Sequence, residues 1–494
     1  MHTGLLLEMA ADALGDRLAA GPLAAGLSYA ALLQRARAGA EFLTRAGGET
    51  VVQIGQNSPD LPVLLFASAF AGKPFAPLNY RLADADLRRI LARTAPSIAV
   101  ADDDMIPRVQ GGDGVTLVPR SAFAAACADP ANLAAAPVGP DPDIAVLLFT
   151  SGTTGEPKAA ILRHQHLTAY VLSTVEFTAA EEGEAALVSV PPYHIAGVSA
   201  VLTNVFAGRR IVHLPAFSPE AWVQAAATEQ VTHAMVVPTM LGRILDVMEA
   251  GAVALPTLRT LSYGGGRMPL PVIERALRLL PQVDFVNAYG LTETSSTISV
   301  LGPADHHAAR SGEPAAHRRL ASVGRPLPGL EVQIRDPDGR PLPTGATGEV
   351  CVRGEQISGE YVGKKLTDAN GWFHTRDAGF LDADGYLFLE GRMDDVIVRG
   401  GENISPGEIE DVLRQHPAVA DVAVLGVPDD EWGEQVAAVI TPRGEANPEA
   451  LKAFVRERLR STKVPAQIRF QAELPYTETG KLLRRVLKAG FAQG

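Results

Sequence analysis

The strongest constraint on this fold is a polar break between two apolar runs. Ile144–Thr150 (IAVLLFT) reads as a buried strand, the residues that follow as far as Lys158 are rich in Gly, Ser and Thr, and a second apolar run begins at Ala159. That pattern is strand, loop, strand. Further strand candidates at 235–238, 258–263 and 283–289 also end at loops, with a Pro-initiated helix at 269–280 between the last two. Strands that repeatedly end in Gly-rich or polar loops predict a shared ligand edge. In the first hundred residues, helical spacing alternates with short β-branched runs at 51–54 and 98–100, as in α/β layers. Residues 102–119 read as loop.

The 494 residues exceed what one core usually organises, so two folding units are expected. After about Ser322, short runs at 332–334, 349–352 and 386–390 are separated by the turn signals DPDG and DADG, as in hairpins or a small barrel. Beyond Arg392 the order becomes strand, helix, strand, strand, helix, enough for a small core of its own. The predicted fold is therefore α/β: a large unit, 1–393, of layered sheets plus a small barrel, then a small α+β unit, 394–494. No internal repeat is present.

A formal net charge of -12 argues against a nucleic-acid partner, which calls for a clustered basic surface. Cys127 and Cys351 have no metal-site or disulfide spacing and read as packing residues. Glu8, Asp12 and Asp16 interrupt the N-terminal apolar run, which reads as an amphipathic helix and not a signal peptide. The longest apolar stretch, 61–72, falls short of the ~20 residues needed to cross a bilayer. The cytoplasm is the expected location.

The sharpest motif is TSGTTGEPK, residues 150–158. Gly152 and Gly155 let the backbone approach an anion, Thr150, Ser151, Thr153 and Thr154 bring hydroxyls, and Lys158 brings positive charge, a combination suited to polyphosphate. The spacing differs from a Walker loop. A merely flexible loop is the plainer reading.

This segment resembles the signature loop of the adenylate-forming superfamily, which includes acyl- and aryl-CoA synthetases. The resemblance continues in order through YGLTETSS (289–296), GEVCVRG (348–354), GWFHTRDAG (371–379), GRMDDVIVRGGENISPGEIE (391–410) and TETGK (477–481). It implies a large domain followed by a small mobile one.

By that likeness, Thr292 contacts the α-phosphate and Glu293 holds Mg²⁺, although Thr292 could simply cap a helix. Asp377 binds the ribose hydroxyls, with Arg376 standing where the family has Gly. Arg392 contacts ribose or phosphate oxygens, a structural ion pair being the alternative. Gly264, Gly265 and Gly266, which a tight turn would also explain, lie between adenine and the acyl chain; Asn287, Ala288, Tyr289 and Gly290 complete the nucleotide site. Lys481 is the catalytic lysine bridging carboxylate and α-phosphate, Asp394 is the hinge, and Gly400, Gly401, Glu402 and Asn403 meet coenzyme A. His194 resembles a gate to the thiol channel, although a packing histidine would look the same.

The implied acid pocket takes in Tyr193, His194, Gly197, Val237, Gly265 and Ser296. Apart from Arg267 its segments carry no Lys or Arg, so an apolar or aryl monocarboxylic acid is expected. The implied activity is ATP- and Mg²⁺-dependent adenylation followed by transfer to coenzyme A. A separate carrier protein is the alternative acceptor, and a non-catalytic nucleotide-binding homologue the remaining one. The likeness leaves room for a homodimer.

Overall fold

The computed structural model describes residues 1–110, 112–129, 143–150, 157–251, 253–400, 402–429, 431–476 and 482–492, with the side chains of Asn403 and Ala492 left aside. Two large sheets dominate. One has eight strands, in the order Lys364–Lys365, Glu360–Tyr361, Lys158–Arg163, Ile144–Thr150, Phe75–Leu78, Thr50–Ile54, Ser97–Ala101, Val115–Pro119. The other has nine, with six parallel strands at its centre from Asp284–Leu291 across to Leu18–Ala20.

Parallel strands need apolar cover on both faces, which a layer of helices supplies. One buried cluster runs from Val51, Phe75 and Val146 of the first sheet through Leu64 and Phe66 of helix Asp60–Phe70 to Val188 and Ile211 of the second. Every residue from Leu61 to Phe70 is buried, because this helix meets apolar neighbours all round. Helix Gly4–Leu14 is amphipathic, burying Leu6, Leu7, Ala10 and Ala11 while Leu5 and Met9 stay exposed. No helix among the described residues is long and apolar enough to cross a membrane.

Residues 102–119 are not a simple loop. They form a 3-10 turn, Asp103–Met105, a short helix, Ile106–Val109, and the edge strand Val115–Pro119, parallel to Ser97–Ala101. An edge strand stays half exposed, so its apolar signal is diluted by the Asp and Gly residues around it.

Glu331–Arg335, Gly348–Arg353, Phe373–Leu381 and Leu387–Arg392 make a four-stranded antiparallel sheet. DPDG and DADG turn as expected, with Gly339 N donating to Asp336 O at 2.9 Å and Gly385 N to Asp382 O at 3.1 Å. The outer strands of this sheet do not pair with each other, so the hairpins form without closing into a barrel.

The last sheet has five strands: Ile397–Arg399, Glu402–Ile404, Val419–Asp429, Gly433–Pro442 and Gln467–Phe470. Its own core packs Ile409 and Leu413 of helix Pro406–Arg414 and Leu451 and Val455 of helix Pro448–Arg456 against Val422, Val424 and Ile440. Strands Glu402–Ile404 and Gln467–Phe470 and helix Arg484–Ala492 were not apparent from apolar spacing.

Candidate functional site

Thr150 lies opposite Lys158 in the antiparallel pair Ile144–Thr150 and Lys158–Arg163, so the hairpin draws together the two ends of the Gly/Ser/Thr loop. Ser151, Gly152, Thr153, Thr154 and Gly155 lie outside the described residues. Strand Asp284–Leu291 leads into a 3-10 turn, Thr292–Thr294, and a Cβ on Gly290 would stand 1.8 Å from Ser296 O. Only glycine fits there. Leu291 rather than Thr292 precedes the turn as its cap residue.

Glu293 is half-buried and accepts a hydrogen bond from the Tyr361 hydroxyl, which also lies 3.2 Å from Thr150 Oγ1. One phenol thus links the end of the phosphate-type loop to the expected metal ligand. The turn's backbone is held as well: Gln356 Nε2 donates to Thr294 O at 3.0 Å and Thr297 O at 2.8 Å, and Gly359 N donates to Glu293 O at 2.8 Å.

A cavity of about 720 Å³ opens beside this turn, lined on one side by Gly265, Gly266, Asn287, Ala288, Tyr289 and Gly290 and on the other by Asp377 and Arg392. Gly264 does not line it; a Cβ there would sit 2.3 Å from Ala288 O, so the glycine lets the two strands close up. Asp377 and Arg392 are cross-strand partners. Arg392 Nε lies 3.1 Å from Asp377 Oδ1, Tyr289 Oη donates to Asp377 Oδ2 at 2.5 Å, and Asp377 N donates to Thr375 Oγ1 at 3.0 Å. Burial and the neighbouring Asp377 carboxylate push the Tyr289 phenol well above its usual range, so it remains a donor. Residues far apart in the chain meet here.

Arg376, next to Asp377, has φ +63°, the left-handed region that glycine occupies without strain. Its guanidinium pairs with Asp394 at 2.6 Å, joining the strand that carries Asp377 to the expected hinge residue. Arg376 N donates to Glu349 Oε1 at 3.1 Å, and Glu349 Oε2 lies 2.9 Å from His374 Nδ1, itself 3.4 Å from Cys351 Sγ. Cys351 is fully buried, as a packing residue should be, and with Glu349 and His374 it forms the one group of three potential metal ligands among the described residues. Spacing could not reveal a cluster formed across strands. Burial pushes the Cys351 thiol up to about 12, so it is protonated near neutrality.

The expected acid-pocket residues come together in pairs, and Gly265 alone among them lines the large cavity. Tyr193 is buried edge-on to Tyr80, ring centres 5.9 Å apart, and lies 4.8 Å from the His194 ring. His194 precedes helix Ile195–Ala207, in which a Cβ on Gly197 would come within 2.7 Å of Pro191 O; Ser199 Oγ of the same helix is 3.2 Å from Ser296 Oγ. Val237 stands 3.5 Å from where a Cβ on Gly265 would lie. Burial lowers His194 to about 4, leaving a neutral imidazole near pH 7. Arg267, just beyond Gly266, pairs with Asp411 at 2.5 Å on helix Pro406–Arg414, and Arg243 also lines the large cavity.

Beyond Asp394, the chain presents Glu410, Arg414, Tyr476, Leu482 and Arg484 to the large cavity. Lys481 and Gly401 lie outside the described residues. Gly400 and Glu402 do not line the cavity; Gly400 N donates to Trp432 O at 2.8 Å, beside a Trp432 ring that is 46% exposed.

Residues 7–362 match the family model for AMP-binding enzymes, and residues 408–481 match the AMP-binding enzyme C-terminal domain. The chain belongs to the AMP-binding enzyme family. Within the family it is 35% identical to a fatty acid–[acyl-carrier-protein] ligase of Streptomyces coeruleorubidus, over 94% of this chain and 92% of that one. It is also 35% identical to a feruloyl-CoA synthase of an Amycolatopsis species, over 94% of each. Its fold superposes on ATP-bound MatB from Rhodopseudomonas palustris with a TM-score of 0.86, 28% identity and 99% of each chain covered. Glu293, Asp377 and Arg392 stand within the family motifs, whereas Tyr361, Gln356 and Trp432 lie outside them and are marked only by their contacts.

Proposed function

We propose that this protein is a carboxylic acid–CoA ligase that adenylates an apolar or aryl monocarboxylic acid and passes the acyl group to coenzyme A. The observation that carries this reading is the meeting of Asp377, Tyr289 and Arg392 with the Gly265–Gly266 wall at one cavity, facing residues from beyond the hinge. In the first step a carboxylate oxygen attacks the α-phosphorus of ATP and pyrophosphate leaves. The ribose hydroxyls donate to the free lone pairs of Asp377, which Tyr289 and Arg392 hold in place, and the adenine lies against the small backbone of 265–266 and 287–290.

The Glu293 carboxylate and the Thr150 hydroxyl, hard oxygen donors of the kind Mg²⁺ prefers, meet at the Tyr361 hydroxyl with Thr292 adjoining in the chain, so these residues fit the metal. When bound, Mg²⁺ supplies positive charge against the phosphate oxygens. The loop of Ser151, Gly152, Thr153, Thr154 and Gly155, with Lys158, cradles the leaving pyrophosphate, while Lys481 draws carboxylate and α-phosphate together. The unit 394–494 then rotates about Asp394, withdraws Lys481 and brings Gly400, Gly401, Glu402 and Asn403 to the thiol. Sulfur attacks the carbonyl carbon, AMP leaves and the thiol proton passes to solvent.

Trp432, exposed beside Gly400 with the Arg399 guanidinium 5.8 Å from its ring, supports a ligand with a planar or apolar body near that segment. The pairing of Arg267 with Asp411 before the rotation supports a substrate without a second carboxylate in the adenylation step. The Streptomyces relative favours one second reading, transfer to an acyl carrier protein.

The test is pyrophosphate release from ATP, Mg²⁺ and a panel of acids, with and without coenzyme A. Acid-dependent release with thioester formation is expected. Persistent acyl-adenylate in the presence of coenzyme A would support the carrier reading, and no release with any acid would sink adenylation altogether. Lys481→Ala should abolish adenylation yet spare thioester formation from supplied acyl-adenylate; equal loss of both steps would overturn the alternating mechanism.

A further inference from the structure

We propose that Tyr361 is a positioning residue for the metal-binding end of the site, its hydroxyl holding the Glu293 carboxylate beside Thr150. The proposal rests on the reading of Glu293 as the Mg²⁺ ligand. A single O–H can donate once, and here it donates to Glu293 Oε1, leaving oxygen lone pairs toward Thr150 Oγ1 at 3.2 Å. A carboxylate steered this way has lost rotamer freedom before any nucleotide arrives.

The backbone that carries the ring is anchored in three ways. Tyr361 pairs with Ala160 across the sheet, Val362 N donates to Ala159 O at 3.0 Å, and the neighbouring Glu360 takes Arg163 in a bidentate grip at 2.8 to 3.0 Å. The same segment returns to the turn through Gly359 N to Glu293 O, and Ser358 Oγ bonds Ile161 O. Strand Glu360–Tyr361 therefore fixes the carboxylate relative to the hairpin that holds the loop.

Removing one charge-assisted hydrogen bond while keeping the ring is the sharp test. ATP is titrated calorimetrically, without acid, into wild type, Tyr361→Phe, Glu293→Gln and the double variant, each with and without Mg²⁺, after thermal melts have shown that the variants fold. For Tyr361→Phe, Mg²⁺·ATP binding is expected to weaken roughly ten-fold, with a matching rise in half-saturating Mg²⁺, while metal-free ATP binding stays within about two-fold. The double variant should be no weaker than Glu293→Gln, because the two residues act as one unit.

Equal weakening with and without metal would assign Tyr361 a merely structural role and overturn the proposal. So would wild-type Mg²⁺ dependence in Tyr361→Phe alongside a defective Glu293→Gln. If Glu293→Gln itself keeps wild-type Mg²⁺ dependence, the reading of Glu293 fails, and that outcome is distinct from failure of Tyr361 alone.

Discussion

Two ion pairs stand one residue apart with reversed polarity. Asp377 on strand Phe373–Leu381 meets Arg392 on the strand beside it, while Arg376, just before Asp377, meets Asp394, just past that strand's end. Their exposure separates them: side chains are 11% and 36% accessible in the first pair, 62% and 61% in the second. A buried carboxylate that loses its partner leaves an uncompensated charge, at a cost of about 3–5 kcal/mol, whereas an exposed pair contributes only ~0–1 kcal/mol. The inner pair suits a fixed nucleotide contact. The outer pair suits a contact that the proposed rotation about Asp394 would break and remake.

The largest expected effect comes from breaking the inner pair. Asp377→Asn should cut adenylation about a hundred-fold or more, chiefly through a raised KM for ATP, in a pyrophosphate-release assay. Wild-type KM would remove Asp377 from the nucleotide site. Exchanging charges sharpens the contrast: Arg376→Asp with Asp394→Arg should keep turnover within about three-fold, while Asp377→Arg with Arg392→Asp should abolish it. Equal tolerance of both exchanges would break the comparison.

Arg376→Gly should act more gently still. Glycine takes φ +63° without strain, which offsets the lost outer pair, so Tm should hold or rise by about a degree or two. Overall turnover should change only a few-fold and lose part of its salt dependence, as read in stopped assays from low to high NaCl.

Burial of an uncharged group gives the smallest effect. His194 titrates near 4 in the folded protein against about 6.5 unfolded, so the unfolded chain takes the proton first. Stability therefore falls as pH drops from about 6.5 toward 4. His194→Phe should shrink the Tm loss between pH 7 and pH 5 by about one or two degrees; an unchanged loss would mean that the imidazole is not desolvated.

The layered α/β fold was readable because helix-covered strands leave unbroken apolar runs such as Ile144–Thr150, which lies parallel to Phe75–Leu78 and antiparallel to Lys158–Arg163, and strand ends carry glycines. The edge strand Val115–Pro119 escaped notice because its exposed face dilutes the pattern. At the site, Glu293, Asp377 and Arg392 stand inside contiguous motifs that carry their own signal. Tyr361 lies 211 residues from Thr150 and 68 from Glu293, and no local spacing encodes such a meeting. Arg376 was visible as a departure from the family pattern, but only its φ angle and its contact with Asp394 explain what the arginine does there.

The late arrival of strand Glu360–Tyr361 has a consequence for biosynthesis. It pairs with Lys158–Arg163, yet at ~5–20 residues per second the ribosome reaches it roughly 10–40 s after Thr150. Until then the nascent sheet keeps an open edge at Lys158–Arg163 and lacks the tyrosine that links Thr150 to Glu293. A newly made chain thus closes this edge, and joins Thr150 to Glu293, only once strand Glu360–Tyr361 has been made.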